Sequence, residues 1–204
     1  MLEDLGQHWR YLGPIRLIGG TDLADVPIEP HEFFEFLNGG LSRAFVTGRE
    51  DLESRLAERT AAPDPDGLFR VEDFFCHEAT WLRTVARLAR KADAVLMDLR
   101  GFTPTNRGYI FEITQLIASV SLHRVVLLVV GSTDVPFLEQ TLQGAWRAMP
   151  GDSPNAGAGK HRLHILQASA NHGRTRDSLL GLLCESFGER AEPRGRAPTA
   201  SEHG

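Results

Sequence analysis

A short apolar segment that ends in a carboxylate and leads through a polar loop into a helical pattern restricts this chain's fold more than any other feature. Residues 94–98 form the apolar segment, and Asp98 ends it. The loop that follows is rich in Gly, Pro, Thr and Asn, and helical periodicity begins after Asn106. A strand-length apolar run followed by a helix is typical of a βα unit in a parallel sheet. Because ligands of such sheets bind beyond the carboxyl ends of the strands, we expect a site at Asp98 and in the loop after it.

Strand and helix patterns alternate along the rest of the chain. Further strands are predicted at residues 15–18, 69–75, 123–130 and 163–166, and a short one at 43–46. Helical patterns are predicted at residues 30–37, 49–59, 79–92, 107–120, 135–148 and 179–187. The alternation predicts an α/β fold of three layers, αβα, around a parallel five-stranded sheet. Short, right-handed connections favour the flavodoxin-like strand order 2-1-3-4-5, with a Rossmann-like order as the alternative.

Length and composition fit one globular domain. The chain has 204 residues, of which 42% are hydrophobic and 24% are charged, and this is enough for a substantial core. We expect residues 1–13 to be an N-terminal extension or linker, residues 14–188 a single α/β domain, and residues 189–204 a disordered tail. The segment 149–160, rich in Gly, Pro, Ser and Asn, is expected to be a mobile loop.

Charge and cysteine content argue against several classes of protein. The net charge of -5 speaks against a nucleic acid partner, which needs concentrated Lys and Arg. Cys76 and Cys184 are the two cysteines, and their spacing indicates neither a disulfide scaffold nor a metal site. No signal peptide is visible, and the longest apolar run, residues 125–130, is too short to span a bilayer. We expect a cytoplasmic domain, which reaches a membrane only if an upstream segment anchors it there.

The predicted strand order places a crevice between the strand at 15–18 and the strand at 94–98, where the order reverses. Loops from several strands would meet there, and Glu112, early in the following helix, would border the same crevice. Gly108 lies one turn before Glu112 and would leave open space beside it. The candidate ligand-binding residues are Gly19, Gly20, Thr21, Asp22, Asp98, Arg100, Gly101, Asn106, Gly108, Thr133 and Asp134.

Each of these signals also has a plainer interpretation. A glycine pair such as Gly19 and Gly20 occurs in ordinary turns, and a glutamate such as Glu112 occurs on solvent-facing helices near a favourable N-terminus. Arg100 either holds a phosphate or pairs with a neighbouring acid. Cys76 could act as a nucleophile beside His77, but neighbours in a strand point to opposite faces, and free cysteines are usually buried.

The segment 92–101, with Asn106 and Glu112 after it, resembles the pattern Ala-Asp-hydrophobic-Asp-hydrophobic-(Thr/Ser)-Gly, then Asn, then Glu, of the nucleoside 2-deoxyribosyltransferase-like and TIR-like families. It also resembles the cytosolic C-terminal portion of bacterial multi-pass membrane proteins. In the first two families the helix glutamate after this loop is catalytic and acts on the N-glycosidic bond of a nucleoside or NAD. The resemblance therefore implies that Glu112 is catalytic if the protein is an enzyme, with Asp98 and Asn106 shaping the pocket. The loop 102–105 and the Ile113-Thr114 pair depart from the usual pattern of these families.

Two functions follow as hypotheses. The first is a TIR-like signalling or interaction domain that binds a nucleotide-type ligand at the crevice and self-associates. The second is an N-glycosidase that uses Glu112 on NAD or a nucleoside. No cofactor is assigned beyond NAD or a nucleotide as ligand or substrate, and no metal is expected.

Overall fold

The computed structural model describes residues 1–19, 45–58, 62–157 and 161–188. Within these ranges the strands are β1 (Ile15–Gly19), β2 (Phe45–Val46), β3 (Val71–Cys76), β4 (Val95–Asp98), β5 (Val125–Val129) and β6 (His164–Gln167). The helices are α1 (Leu2–Trp9), α2 (Arg49–Ala57), α3 (Glu78–Lys91), α4 (Arg107–Ser119), α5 (Val135–Arg147) and α6 (His172–Gly188), with one 3-10 turn at Leu122–Arg124. The predicted helix at 30–37 and the predicted tail at 189–204 lie outside the described residues.

The strands form two parallel sheets of three strands each. Sheet A has the order β1-β3-β2, and sheet B has the order β4-β5-β6. Every pairing is parallel, as in the register Ile15 to Val71 and Val95 to Val125. The α/β class and the parallel strands are therefore confirmed.

The expectation of one five-stranded sheet is wrong. Three of the four neighbour pairs of the predicted order are present, namely β1–β3, β4–β5 and β5–β6. In the described part of the chain, no hydrogen-bonded pairing joins β1 to β4, and β2 adds a strand beside β3. The physical reason is that an apolar pattern decides which face a strand buries, whereas the edge that it shares depends on long-range packing.

Sheet B is covered on both faces. All five residues of β5 are buried, and they alternate between two core clusters. Val125, Leu127 and Val129 pack with residues of α4 and α5, whereas Val126 and Leu128 pack with residues of α1 and α6. The unbroken apolar run of β5 is thus explained by burial on both sides, as the sequence predicted.

Sheet A has its core on the side of α2 and α3. Phe74 and Cys76 of β3 are fully buried there, with Leu52 of α2 and Leu88 of α3. On the opposite face Leu17 is 51% exposed. The Cys76 thiol donates a hydrogen bond to the carbonyl of Phe74, and burial raises the pKa of this thiol. Cys76 is therefore a residue of the core, and its environment does not activate it as a nucleophile.

The N-terminal residues, expected to be an extension or linker, include a helix that packs on the domain. Leu5 of α1 is 5% exposed and belongs to the cluster under sheet B. Asp4 accepts a hydrogen bond from Arg176 of α6 at 2.8 Å, and this ion pair ties the two helices together. Helix α1 is therefore part of the layer that covers sheet B.

A buried asparagine anchors the loop after α5. Asn155 is 1% exposed, and its amide donates to the carbonyls of Ile117 and Val120 at 2.8 and 2.7 Å. Its side-chain oxygen accepts from the backbone N–H of Leu122 at 3.1 Å. These bonds satisfy backbone groups at the end of α4 that the helix itself leaves unpaired. The part of this loop around Asn155 is therefore fixed to the core, although its composition had suggested mobility.

We predict that Asn155→Ala lowers the free energy of unfolding by about 3 kcal/mol, because buried backbone groups left without partners cost about 1–3 kcal/mol each. Chemical denaturation followed by circular dichroism measures this change. Asp152→Ala, at an exposed position of the same loop, is the matched control and should change stability little. Equal stability of the two variants would contradict the anchoring role.

Candidate functional site

The loop between β4 and α4 begins with an ion pair. Both carboxylate oxygens of Asp98 accept hydrogen bonds from the Arg100 guanidinium, at distances of 2.7 to 3.1 Å. The backbone N–H of Arg100 also donates to Asp98 at 3.1 Å, and both side chains are partly exposed. Hydrogen bonding to Asp98 raises the pKa of Arg100. Of the two interpretations of Arg100, the structure shows the pairing with a neighbouring acid.

This loop packs against the first turns of α4 and α5. Phe102 is buried, its ring stacks on Phe137 of α5 with centroids 5.5 Å apart, and it meets Tyr109 of α4 edge-on. A Cβ atom on Gly101 would lie 3.2 Å from the Tyr109 hydroxyl, so this close approach favours glycine. The aromatic contacts therefore bring the β4–α4 loop to the start of α5, at the carboxyl edge of sheet B.

Three of the predicted ligand-binding residues stabilise turns and helix ends. Asn106 is the N-cap of α4 and accepts from the backbone N–H of Tyr109, and Asp134 is the N-cap of α5 and accepts from Phe137. Thr133 is 9% exposed, and its hydroxyl accepts from the backbone N–H of Val130 at 3.0 Å. Side-chain oxygens in these positions satisfy backbone donors that the helix leaves free. Their local roles are sufficient to explain these residue types.

Trp81 of α3 occupies the space beside Gly108. A Cβ atom on Gly108 would lie 3.8 Å from the Trp81 ring and 3.2 Å from the side-chain oxygen of Asn106. The Trp81 ring also meets Phe111 with centroids 5.6 Å apart. The Trp81 ring thus lies beside Gly108, where the sequence suggested open space.

Glu112 lies on the same side of α4 as Gly108, one turn further along. Its side chain is half-buried, and burial raises its pKa from 4.5 to about 7. In the described ranges, no side chain forms a hydrogen bond or ion pair with Glu112. The aromatic side chains of Trp81 and Phe111 border this face of α4, and apolar neighbours of this kind disfavour the ionised carboxylate.

Helices α3 and α4, which carry Trp81 and Glu112, connect sheet A to sheet B by packing against each other. Helix α3 packs on β3 and β1, whereas α4 packs on sheet B, and the two helices contact each other. On the other side, Gly6 of α1 lies close to Ile15 of β1, and α1 belongs to the cluster under sheet B. Glu112 is therefore positioned beside the helix that covers sheet A.

The structure brings together the predicted residues of the β4–α4 loop and of the α5 N-terminus. These are Asp98, Arg100, Gly101, Asn106, Gly108, Thr133 and Asp134. Gly19 ends β1 and pairs with Phe75 of β3 in sheet A. Gly20, Thr21 and Asp22 lie outside the described residues, so the third loop of the predicted crevice is not described.

Sequence reasoning missed the aromatic residues of this region as site residues. Trp81, Phe111 and Tyr109 are not among the residues that the sequence predicted for the site. A further pair stands at the carboxyl edge of sheet A, where the His77 ring stacks on Phe45 with centroids 4.4 Å apart. A large residue at Trp81 and a missing side chain at Gly108 were the available signal, but their proximity became evident only in three dimensions.

The described residues hold no group of three or more His, Cys, Asp or Glu side chains placed to bind a metal ion. A groove of about 410 Å³ lies at the opposite rim of sheet B, and its lining includes Leu142, Trp146 and Leu163. It is separate from the carboxyl edge at which Asp98 and Asp134 lie. What the region offers chemically is the half-buried carboxyl of Glu112, the Asp98–Arg100 ion pair and the aromatic contacts described above.

Comparisons with protein-family models, with curated proteins and with solved structures give no match to this chain. Among the described residues, no helix combines the length and apolar character needed to cross a bilayer. Arguments about function therefore depend on the geometry of the site.

We predict that Glu112 makes the stability of the protein fall as the pH rises from about 4.5 to about 7. In this window the folded protein keeps a proton on Glu112 that the unfolded chain releases, so raising the pH favours unfolding. The shift corresponds to at most about 3 kcal/mol at pH 8. Glu112→Gln should remove this fall, so that the variant is more stable than the wild type at pH 8 and similar to it at pH 4.

Denaturation curves at several pH values measure this difference. Glu139→Gln alters an exposed glutamate of α5 and keeps Glu112, so it should retain the wild-type fall. A Glu112→Gln protein with the pH dependence of the wild type would show that Glu112 is ionised in the folded state at neutral pH.

Proposed function

We propose that this protein is a TIR-like signalling or interaction domain that binds a nucleotide-type ligand at the junction of its two sheets. The observation that carries the proposal is Glu112, a half-buried carboxyl without a described partner. Burying a carboxyl without a partner costs free energy, and the packing of α4 does not require a carboxyl at position 112. Perturbed carboxyls beside a sheet edge are typical of binding and catalytic sites.

The position of Glu112 supports a ligand at the junction. In parallel α/β proteins ligands bind beyond the carboxyl ends of the strands, and β1 ends at Gly19 and β4 at Asp98. Sheet A extends from β1 through β3 to β2, whereas sheet B extends from β4 to β6. Strands β1 and β4 are therefore edge strands of sheets A and B.

The chemistry of the rim fits a nucleotide-type ligand. A carboxyl such as Glu112 hydrogen-bonds ribose hydroxyls, and aromatic faces such as that of Trp81 pack against a base. Arg107, the first residue of α4, is exposed and adds positive charge near the helix N-terminus, where phosphates are favoured. Cys76 and Cys184 are both free thiols, which agrees with the reducing cytoplasm in which we place the domain.

The pKa of Glu112 favours a second candidate function, cleavage of an N-glycosidic bond in NAD or a nucleoside. A carboxyl with a pKa of about 7 exists in both protonation states at neutral pH. Its protonated form donates to a leaving base, and its ionised form stabilises an oxocarbenium-like transition state or attacks it. One residue in this environment therefore has the acid–base properties that the reaction requires.

We predict that the protein binds NAD or a nucleoside, and that Glu112→Gln weakens this binding at least tenfold, which corresponds to about 1.4 kcal/mol. Isothermal titration calorimetry measures the affinity, and chromatography of the released base measures cleavage in the same samples. Glu139→Gln is the matched control, because it makes the same chemical change at an exposed position.

Binding without base release supports the interaction domain, and base release that Glu112→Gln abolishes supports the glycosidase. Binding or cleavage that persists unchanged in Glu112→Gln would remove Glu112 from the site. Absence of any binding by NAD, adenosine and ATP at millimolar concentration would overturn the nucleotide proposal.

A further inference from the structure

Strand β6 is an edge strand of sheet B, and its sequence lacks the residues that usually protect an edge strand from pairing with another chain. It pairs with β5 on one side, and no described strand pairs with its other side. Natural edge strands are guarded against association by Lys, Pro, bulges or a covering element. Residues 163–168 contain none of the charged residues Lys, Arg, Asp and Glu, and no proline. Among the residues that the structure describes, nothing pairs with this edge, and it is open to a further strand.

An exposed apolar surface adjoins this edge. Ile165 of β6 is 51% exposed, and helix α5 packs against α4. Trp146, at the end of α5, is 40% exposed and lines the groove of about 410 Å³ together with Leu163 of the segment that leads into β6. Since Leu163 and Ile165 are two residues apart, they lie on the same face of the sheet.

We propose that a second copy of this chain covers this edge, by antiparallel pairing of β6 with β6 of the partner around a two-fold axis that lies midway between the two Ile165 residues. Such an axis, perpendicular to the sheet, places Ile165 opposite Ile165 of the partner subunit. It joins the two copies of sheet B into one sheet of six strands. Residues opposite each other in an antiparallel pair lie on the same face, so the two exposed isoleucine side chains cover each other.

The charges of α5 complement one another under this symmetry. The two α5 helices lie on the same face of the joined sheet and run antiparallel, so the first half of each faces the last half of the other. Asp134 and Glu139 are exposed in the first half, and Arg147 is exposed in the last turn. Neither Glu139 nor Arg147 has an ion-pair partner among the described residues. The two-fold operation therefore brings acidic groups of one copy towards a basic group of the other.

Apolar surface at the ends of α5 is complementary in the same way. Val135 at the start of α5 is 49% exposed, and Trp146 is at the other end of the helix. Antiparallel α5 helices bring Val135 of one copy towards Trp146 of the partner subunit and thereby cover part of the groove. A self-complementary patch of this kind is the requirement for a two-fold interface. Asp98 and Arg100 follow β4, at the edge of sheet B opposite β6, and take no part in this interface.

Light scattering after size-exclusion chromatography, over a concentration series of the full chain, tests the proposal. We expect the mass to rise from 22.6 kDa towards twice that value. Ile165→Lys should keep the protein monomeric, because it places two ammonium groups opposite each other at the centre of the pairing. Leu17→Lys is the matched control, because Leu17 is also 51% exposed on a strand, in sheet A, and this variant should dimerise like the wild type.

Disulfide trapping gives a test that does not depend on the lysine variants. Opposite residues of an antiparallel pair have Cα atoms about 4.5–5.5 Å apart, a distance that a disulfide bridges. In a Cys184→Ser background, Ile165→Cys should form a covalent dimer on mild oxidation, and Leu17→Cys should not.

Charge exchange tests the orientation of the helices. Arg147→Glu alone should weaken the dimer, and the combination with Glu139→Arg should restore it. A wild-type protein that stays monomeric, a dimer that Ile165→Lys leaves intact, or trapping that is equal at positions 165 and 17 would each overturn the proposal. None of these results bears on binding of a nucleotide at Glu112.

Discussion

The contact between α3 and α4 is the interaction on which the rest of the structure depends, because it joins two sheets that share no described hydrogen-bonded strands. Helix α3 belongs to the core of sheet A, and α4 belongs to the core of sheet B. Trp81 makes the contact close by lying against Gly108 and Phe111. An aromatic ring that fits where a side chain is missing buries apolar area on both helices and fixes their relative position.

The same contact determines the environment of Glu112. Because Glu112 follows Gly108 by one helical turn, it faces the region in which α3 and α4 meet. Burial disfavours its ionised form there, and no described side chain pairs with the carboxylate to offset that cost. The packing that joins the sheets thus also buries the carboxyl of Glu112, and strand β6 lies at the opposite edge of sheet B from β4.

Local sequence patterns predicted most of the described strands and helices, although not helix α1. Residues 135–148 were predicted as a helix and Val135–Arg147 is one, and the unbroken apolar run at 123–130 was predicted to be buried on both faces, as β5 is. These features depend on periodicity and on end residues such as Asp134, which act over a few positions. Ligand binding by Asn106, Thr133 and Asp134 stays a prediction, since the hydrogen bonds that they accept at helix ends and turns favour the same residue types.

By itself, the sequence determined the parallel α/β class, the order of strands and helices, and the position of Asp98 and Glu112 beyond a strand end. The tertiary structure decided that the strands divide into two sheets, that Trp81 fills the space beside Gly108, and that Asn155 anchors a loop whose composition suggested mobility. The reason is the range of the interactions. Periodicity and capping act between residues close in the chain, whereas strand edges, ring contacts and buried amide bonds join residues that only folding brings together.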